Sequence, residues 1–194
     1  MPLRAKLHQA LRKAWRPLGR ARRSRGFGVH SPFAFRFITF VLRDRSSIYY
    51  STARIRPLAS GRSHRNRLNR LFRIVCDRHP LALILPDDFP EAERRTLLMA
   101  DSRLSPLTPA EAESAPLPSG RLMLCLHRLS EEHLPTARRV LSTEDSTLVI
   151  LDIRPAQLSA LKENLDHLMT FTNGRSAIIV SRHDLPLQTF EINI

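Results

Sequence analysis

The sequence predicts an α/β protein, a mostly parallel sheet with an antiparallel end, preceded by basic N-terminal helices. Three observations point there. From residue 80 onward, continuous apolar runs (LALIL at 81–85, RLMLCL at 121–126, TLVILDI at 147–153) alternate with segments of helical period, the pattern of strands buried on both faces. Near the end, strand-like residues flank Asn173-Gly174, a hairpin signal. Charge divides the chain: residues 1–80 hold 20 of the 31 Lys and Arg and only two acids, Asp44 and Asp77. With 194 residues and 42% hydrophobic content, one domain with an extension can bury a full core. The expected organisation is a basic arm over 1–25, a helical region over 26–79 and an α/β domain over 80–194.

The arm comes first. Leu3, Leu7, Leu11, Ala14 and Leu18 recur every three or four residues, opposite Arg4, Lys6, Arg12, Lys13 and Arg16. That spacing predicts a short amphipathic helix disturbed at Pro17. Its charges either meet phosphates or anionic lipid, or stand in water while the helix packs on its own domain. Residues 20–25, RARRSR, extend the charge and include Arg22 and Arg23. No apolar h-region follows, so a secretory signal is not expected; the Arg-rich, acid-free composition also fits an organellar transit peptide. No run approaches the roughly 18 apolar residues that cross a bilayer.

Residues 25–40, RGFGVHSPFAFRFITF, hold five of the nine Phe. Gly26 and Gly28 permit φ values other residues avoid, Ser31 is an N-cap, and Pro32 occupies the first helical position. Phe33, Phe37, Ile38, Phe40 and Val41 then share a helix face. Residues 44–61 carry breaker signals and read as loop; Tyr49 and Tyr50 there, beside Arg54 and Arg56, either stack on bases or cover a core edge. Residues 62–78 form a second basic helix with Leu68, Leu71, Phe72 and Val75 inward. Arg62, Arg65, Arg70 and Arg73 lie largely off that face and suit phosphates, or a solvated surface.

Beyond residue 80, helices are expected over 90–104, 131–141 and 155–169, the last on Leu158, Leu161, Leu165 and Leu168. Residues 105–120, with four prolines, read as a long surface connection. Residues 169–182 predict strand, turn and strand, and TFEINI a terminal strand. In such sheets ligands sit beyond the carboxyl ends of the strands, so the loops after Leu85, Leu126 and Asp152 are where a site is expected.

Cys76 and Cys125 each lie in an apolar run, and two buried thiols in a reduced, cytoplasmic setting are expected, a disulfide being the alternative. Cys76-x-x-His79 and Cys125-x-His127 lack the second ligand pair of a zinc site, so no metal is expected. Asp87 and Asp88 point apart on an extended segment and suit a turn and helix start better than an acid/base pair. His30 is the best single functional candidate, although a His beside a helix start often just bonds to backbone.

The segment Gly28-Val29-His30-Ser31-Pro32-Phe33, followed by a Phe-rich helix, a charged linker and a helix feeding the first strand, resembles a bacterial family. That family is the class I S-adenosylmethionine-dependent methyltransferases bearing an N-terminal HGVHSPF segment; Phe27 stands where the family usually has a His. The tail is similar as well, with a strand ending in Asp152, a helix, a hairpin and TFEINI. The resemblance implies a reduced Rossmann-like methyltransferase fold and S-adenosylmethionine as cofactor. Only Asp152 stays where the family has an acidic residue; Asp152 and His30 are the catalytic candidates, and Asp87, Asp88 and His127 the cofactor-binding candidates.

The middle departs from the family. Its first strand runs into an acidic, Gly-rich E-x-G-x-x-x-G loop, whereas this chain has Leu85-Pro86-Asp87-Asp88-Phe89-Pro90 without a glycine. Residues 97–120 are shorter than in a full methyltransferase, by about one strand and helix. The expectation is therefore a degenerate methyltransferase-like protein, without catalysis, that binds or scaffolds an anionic partner, RNA or DNA being favoured. The alternatives are an active S-adenosylmethionine-dependent methyltransferase with Asp152 near the methyl acceptor, and association with an anionic membrane surface through residues 1–25.

Overall fold

A computed structural model describes Gly26, residues 28–43 and residues 52–194. The basic arm with Arg22 and Arg23, and Tyr49 and Tyr50, lie outside the described residues. Helix α1, Pro32–Arg36, starts as expected: Ser31 Oγ accepts from Ala34 N–H at 3.3 Å and Pro32 stands at the first position. It widens into a π-helical turn, Phe37–Leu42, closed by Arg43 N–H donating to Ile38 C=O at 3.1 Å. Upstream, Gly26 has φ +81°, and a Cβ there would meet the Phe35 ring at 2.5 Å, so the chain turns directly against the helix. Ser31→Ala removes the cap and will lower the stability by about 1 kcal/mol in urea titration. An unchanged midpoint would mean that the cap contributes nothing.

Residues 52–58 are helical where a loop was expected: α2, Thr52–Ile55, runs into a 3-10 turn, Arg56–Leu58. Ile55 is the anchor, fully buried against Leu68 and Phe72. Helix α3 spans Arg62–Arg78, as the spacing predicts, and ends at His79 in the left-handed conformation (φ 44°). Leu68, Leu71, Phe72 and Val75 are buried along it, together with Ile74.

The sheet has six strands: β1 Ala82–Ile84, β2 Leu122–Arg128, β3 Ser146–Asp152, β4 Leu168–Thr172, β5 Ala177–Ser181 and β6 Gln188–Glu191. Their spatial order is β1-β2-β3-β5-β4-β6. Strands β1, β2 and β3 are parallel, β5 inserts antiparallel between β3 and β4, and β6 pairs parallel with β4 at the edge. The architecture is thus α/β, mostly parallel with one antiparallel member.

Between the strands lie α4 Glu91–Ala100, α5 Pro109–Ser114, α6 Leu134–Leu141 and α7 Pro155–Lys162. Side chains alternate across β3: Val149 enters one core with α1, α3 and α4, while Leu148 and Ile150 enter the other with α6 and α7. The N-terminal helices therefore share a core with the sheet. Phe33, Phe37, Phe171 and Phe190 pack in series, with centroids 5.6, 5.0 and 5.5 Å apart and the middle pair tilted by 43°, and Arg182 lies 4.8 Å above Phe33.

Two segments differ from expectation. The connection over 105–120 is partly structured: Leu107 adds a parallel bridge to the open edge of β1, donating to Leu83 C=O at 2.9 Å and accepting from Leu85 N–H at 2.8 Å. This satisfies backbone groups that an edge strand otherwise exposes. Thr108 and Glu111 then form a capping box that opens α5. Helix α7 stops at Lys162 instead of reaching Met169. Asn164 and His167 take positive φ, and Leu168 and Met169 pair with Ser181 and Val180 across the sheet. Their apolar side chains fit the helical period, but the open side of β5 needs a partner.

Both cysteines are free. Cys125 is buried in the core, which pushes its thiol up; Cys76 is half-buried and shifts the same way, by burial first and then by Asp101 and Asp77. No helix among the described residues is long and apolar enough to cross a membrane.

A candidate anion site at the carboxyl edge of the sheet

A pocket of about 750 Å³ opens beside the carboxyl half of β3. One wall is the first three turns of α3. The opposite side is Val149–Leu151 of β3 with Ala177 and Ile178 of β5, and the rim is the turn joining β4 to β5. That turn is built by its own sequence. Asn173 Oδ1 accepts from the N–H groups of Arg175 and Ser176, both at 2.9 Å, while Gly174 takes φ +87°. Ile153 N–H donates to Arg175 C=O at 2.7 Å, which ties the turn to the end of β3.

Four arginines line this pocket, Arg62, Arg67, Arg70 and Arg175, together with His64, and no Asp or Glu does. Among the described residues, Arg62, Arg70 and Arg175 form no ion pair. Burial, followed by repulsion from Arg73 and Arg67, lowers Arg70 to about 10. It still stays protonated by about a thousand to one at neutral pH, so the pocket wall carries a poorly solvated cation. Gly61 caps α3 without a side-chain acceptor, and the helix dipole adds to the same positive potential.

The charge has one support from behind. Glu93 of α4 is 2% exposed, and its Oε1 lies 3.2 Å from both His64 Nε2 and Arg67 Nε. The Arg67 contact is an ion pair without hydrogen-bond alignment. Ser60 N–H donates to His64 Nδ1 at 3.1 Å, so in the neutral ring the proton sits on Nε2 and points at Glu93.

The residues singled out by sequence fall into separate places. Arg62 and Arg70 line the pocket, and Arg65 is half-buried on α3 outside the lining. Arg73 is only 7% exposed; its Nε donates to Val41 C=O at 2.6 Å and its Nη2 to Leu42 C=O at 3.3 Å, so it holds the end of the π-helical turn instead of facing solvent. Asp152 is exposed at the end of β3 and accepts from Arg128 Nε at 2.9 Å, beyond the pocket lining. His30 is exposed at the opposite edge: neighbouring Ser31 Oγ lies 4.0 Å from Met169 Sδ, near the start of β4, which runs in the same direction as β3. His30 and Asp152 are not brought together.

His127, next to last in β2, is half-buried, its Nδ1 enclosed without a hydrogen-bond partner among the described residues. Asp87 and Asp88 are exposed in a tight turn where Phe89 N–H donates to Pro86 C=O at 3.1 Å and Arg94 Nη2 to the same oxygen at 2.7 Å. Phe89 fills the core. The turn therefore offers no glycine backbone of the kind the E-x-G-x-x-x-G cradle uses; Phe89 and Arg94 close it over Pro86 C=O. No group of three or more candidate metal ligands occurs among the described residues.

The sequence pattern passed over Arg67, Arg175 and His64. Ser63, Arg67, Arg70 and Ile74 share one stripe of α3, so part of the inward face is cationic, a signal hidden by counting only apolar residues. Arg175 follows the hairpin turn and showed only as a turn residue. The chain matches no protein-family model, no curated protein and no solved structure at a significant level.

Proposed function

We propose that this chain is a cytoplasmic, methyltransferase-like domain of reduced Rossmann-like fold that carries out no methyl transfer and binds an anionic partner, nucleic acid being favoured. One observation carries this: a pocket at the carboxyl edge of the sheet with four arginines, one histidine and no Asp or Glu side chain in its lining. Phosphates are the anions that such an arginine cluster suits, because each guanidinium offers several donors in a fixed fork. The turn after β1 supports the non-catalytic part, and so does the separation of His30 from Asp152.

The test is fluorescence anisotropy with labelled single-stranded RNA and DNA over a salt series. Binding will weaken linearly in log salt, with a slope near −0.7 per phosphate contact. Arg62→Ala and Arg65→Ala will each reduce the slope. A flat salt response, or no binding at low salt, would overturn the assignment. Calorimetric titration with S-adenosylmethionine will give no heat; micromolar binding that is lost in Asp152→Ala would instead overturn the non-catalytic reading.

A further inference from the structure

We infer that the pocket between α3 and β3 holds one phosphorylated nucleotide unit, with its phosphate among the arginines and its base and sugar on the apolar floor. The inference rests on the nucleic-acid reading above and narrows it from a charged surface to a single pocket.

The pocket has two chemically different parts. Half-buried Leu151 and Ile194 present apolar surface to the pocket, over the buried Leu71, Ile74, Val149 and Ile178, and a bare inorganic anion has no use for it. Arg62 and Arg175 stand exposed at opposite sides of the mouth, on α3 and on the β4–β5 turn, while Arg70 is deeper and poorly solvated. An anion entering between them restores what burial removed from Arg70. Guanidinium groups serve a nucleotide twice, donating to phosphate and stacking on the flat base. Asn66, Ser60 and Ser63 add polar groups at the mouth for the sugar and base edges. The volume of about 750 Å³ falls within the roughly 300–1,000 Å³ range of small-molecule sites. The pocket is open at its mouth, which admits either a free nucleotide or the phosphorylated end of a strand.

The experiment is titration calorimetry on the full chain with AMP, adenosine and inorganic phosphate, and with a short RNA bearing either a 5′-phosphate or a 5′-hydroxyl. AMP will bind at least tenfold more tightly than adenosine or phosphate alone. Arg175→Ala and Arg62→Ala, both at exposed positions and checked for unchanged thermal unfolding, will each weaken AMP at least fivefold. If free nucleotide is the source, both RNAs will bind alike while AMP binds; if a strand end is the source, the 5′-phosphate will improve RNA binding at least tenfold. The subsite is overturned if AMP does not bind and the two RNAs bind equally. In that outcome salt-dependent RNA binding still stands, whereas loss of RNA binding with retained AMP binding would overturn only the polymer.

Discussion

Phe171→Ala will lower the folding stability by about 3–5 kcal/mol, the range for deleting a fully buried aromatic ring. Phe171 is 0% exposed and sits mid-series, 5.0 Å from Phe37 of the π-helical turn and 5.5 Å from Phe190 of β6. The cavity would therefore open between three elements that are distant in sequence, and it cannot close by a local shift of one of them. Such a loss is a large share of the 5–15 kcal/mol typical of a domain. Urea denaturation followed by circular dichroism at a helix-sensitive wavelength will show one transition moved to lower denaturant. If the helices of residues 32–78 were separately folded, part of the signal would keep its original midpoint, and the shared core would be refuted.

Glu93→Gln will do two opposite things. It removes the carboxylate that faces Arg67 and His64, leaving polar groups without their charged partner, and will lower stability by about 1–3 kcal/mol. The estimate stays at the lower end for a buried ion pair because Arg67 is 43% exposed on its side chain and keeps part of its hydration. The same substitution raises the positive potential of the pocket, so AMP will bind more tightly. Chemical denaturation and calorimetry on one preparation read both effects. Reduced stability with unchanged or weaker AMP affinity would show that the charge of this wall does not govern ligand binding.

The elements most legible in the sequence were those whose local signals and burial agree. Ser31 and Pro32 fall at the start of α1, Arg62 and Arg78 bound α3, and the Asn173-Gly174 turn joins two strands. Helix α7 was over-extended because Leu165 and Leu168 continue its period; nothing local reveals that Leu168 completes a strand opposite Ser181. The bridge at Leu107 was equally invisible, since a lone residue pairing with β1 has no periodicity. Arg73 looked like a surface cation, and its burial depends on two carbonyls, Val41 and Leu42, some thirty residues away in sequence.

The sequence by itself determined the α/β class, the three parallel strands, the basic helix and the glycine-free turn after β1. These follow from period, capping and composition, which act within a few residues. The tertiary structure alone decided where the charge collects. Arg62, Arg67 and Arg70 become a site only when the β4–β5 turn brings Arg175 across from them and β3 supplies the floor. Glu93, on another helix, then pairs with Arg67 and faces His64, while Arg62, Arg70 and Arg175 form no ion pair among the described residues. Electrostatic fields depend on distance in space, and chain separation carries no record of it.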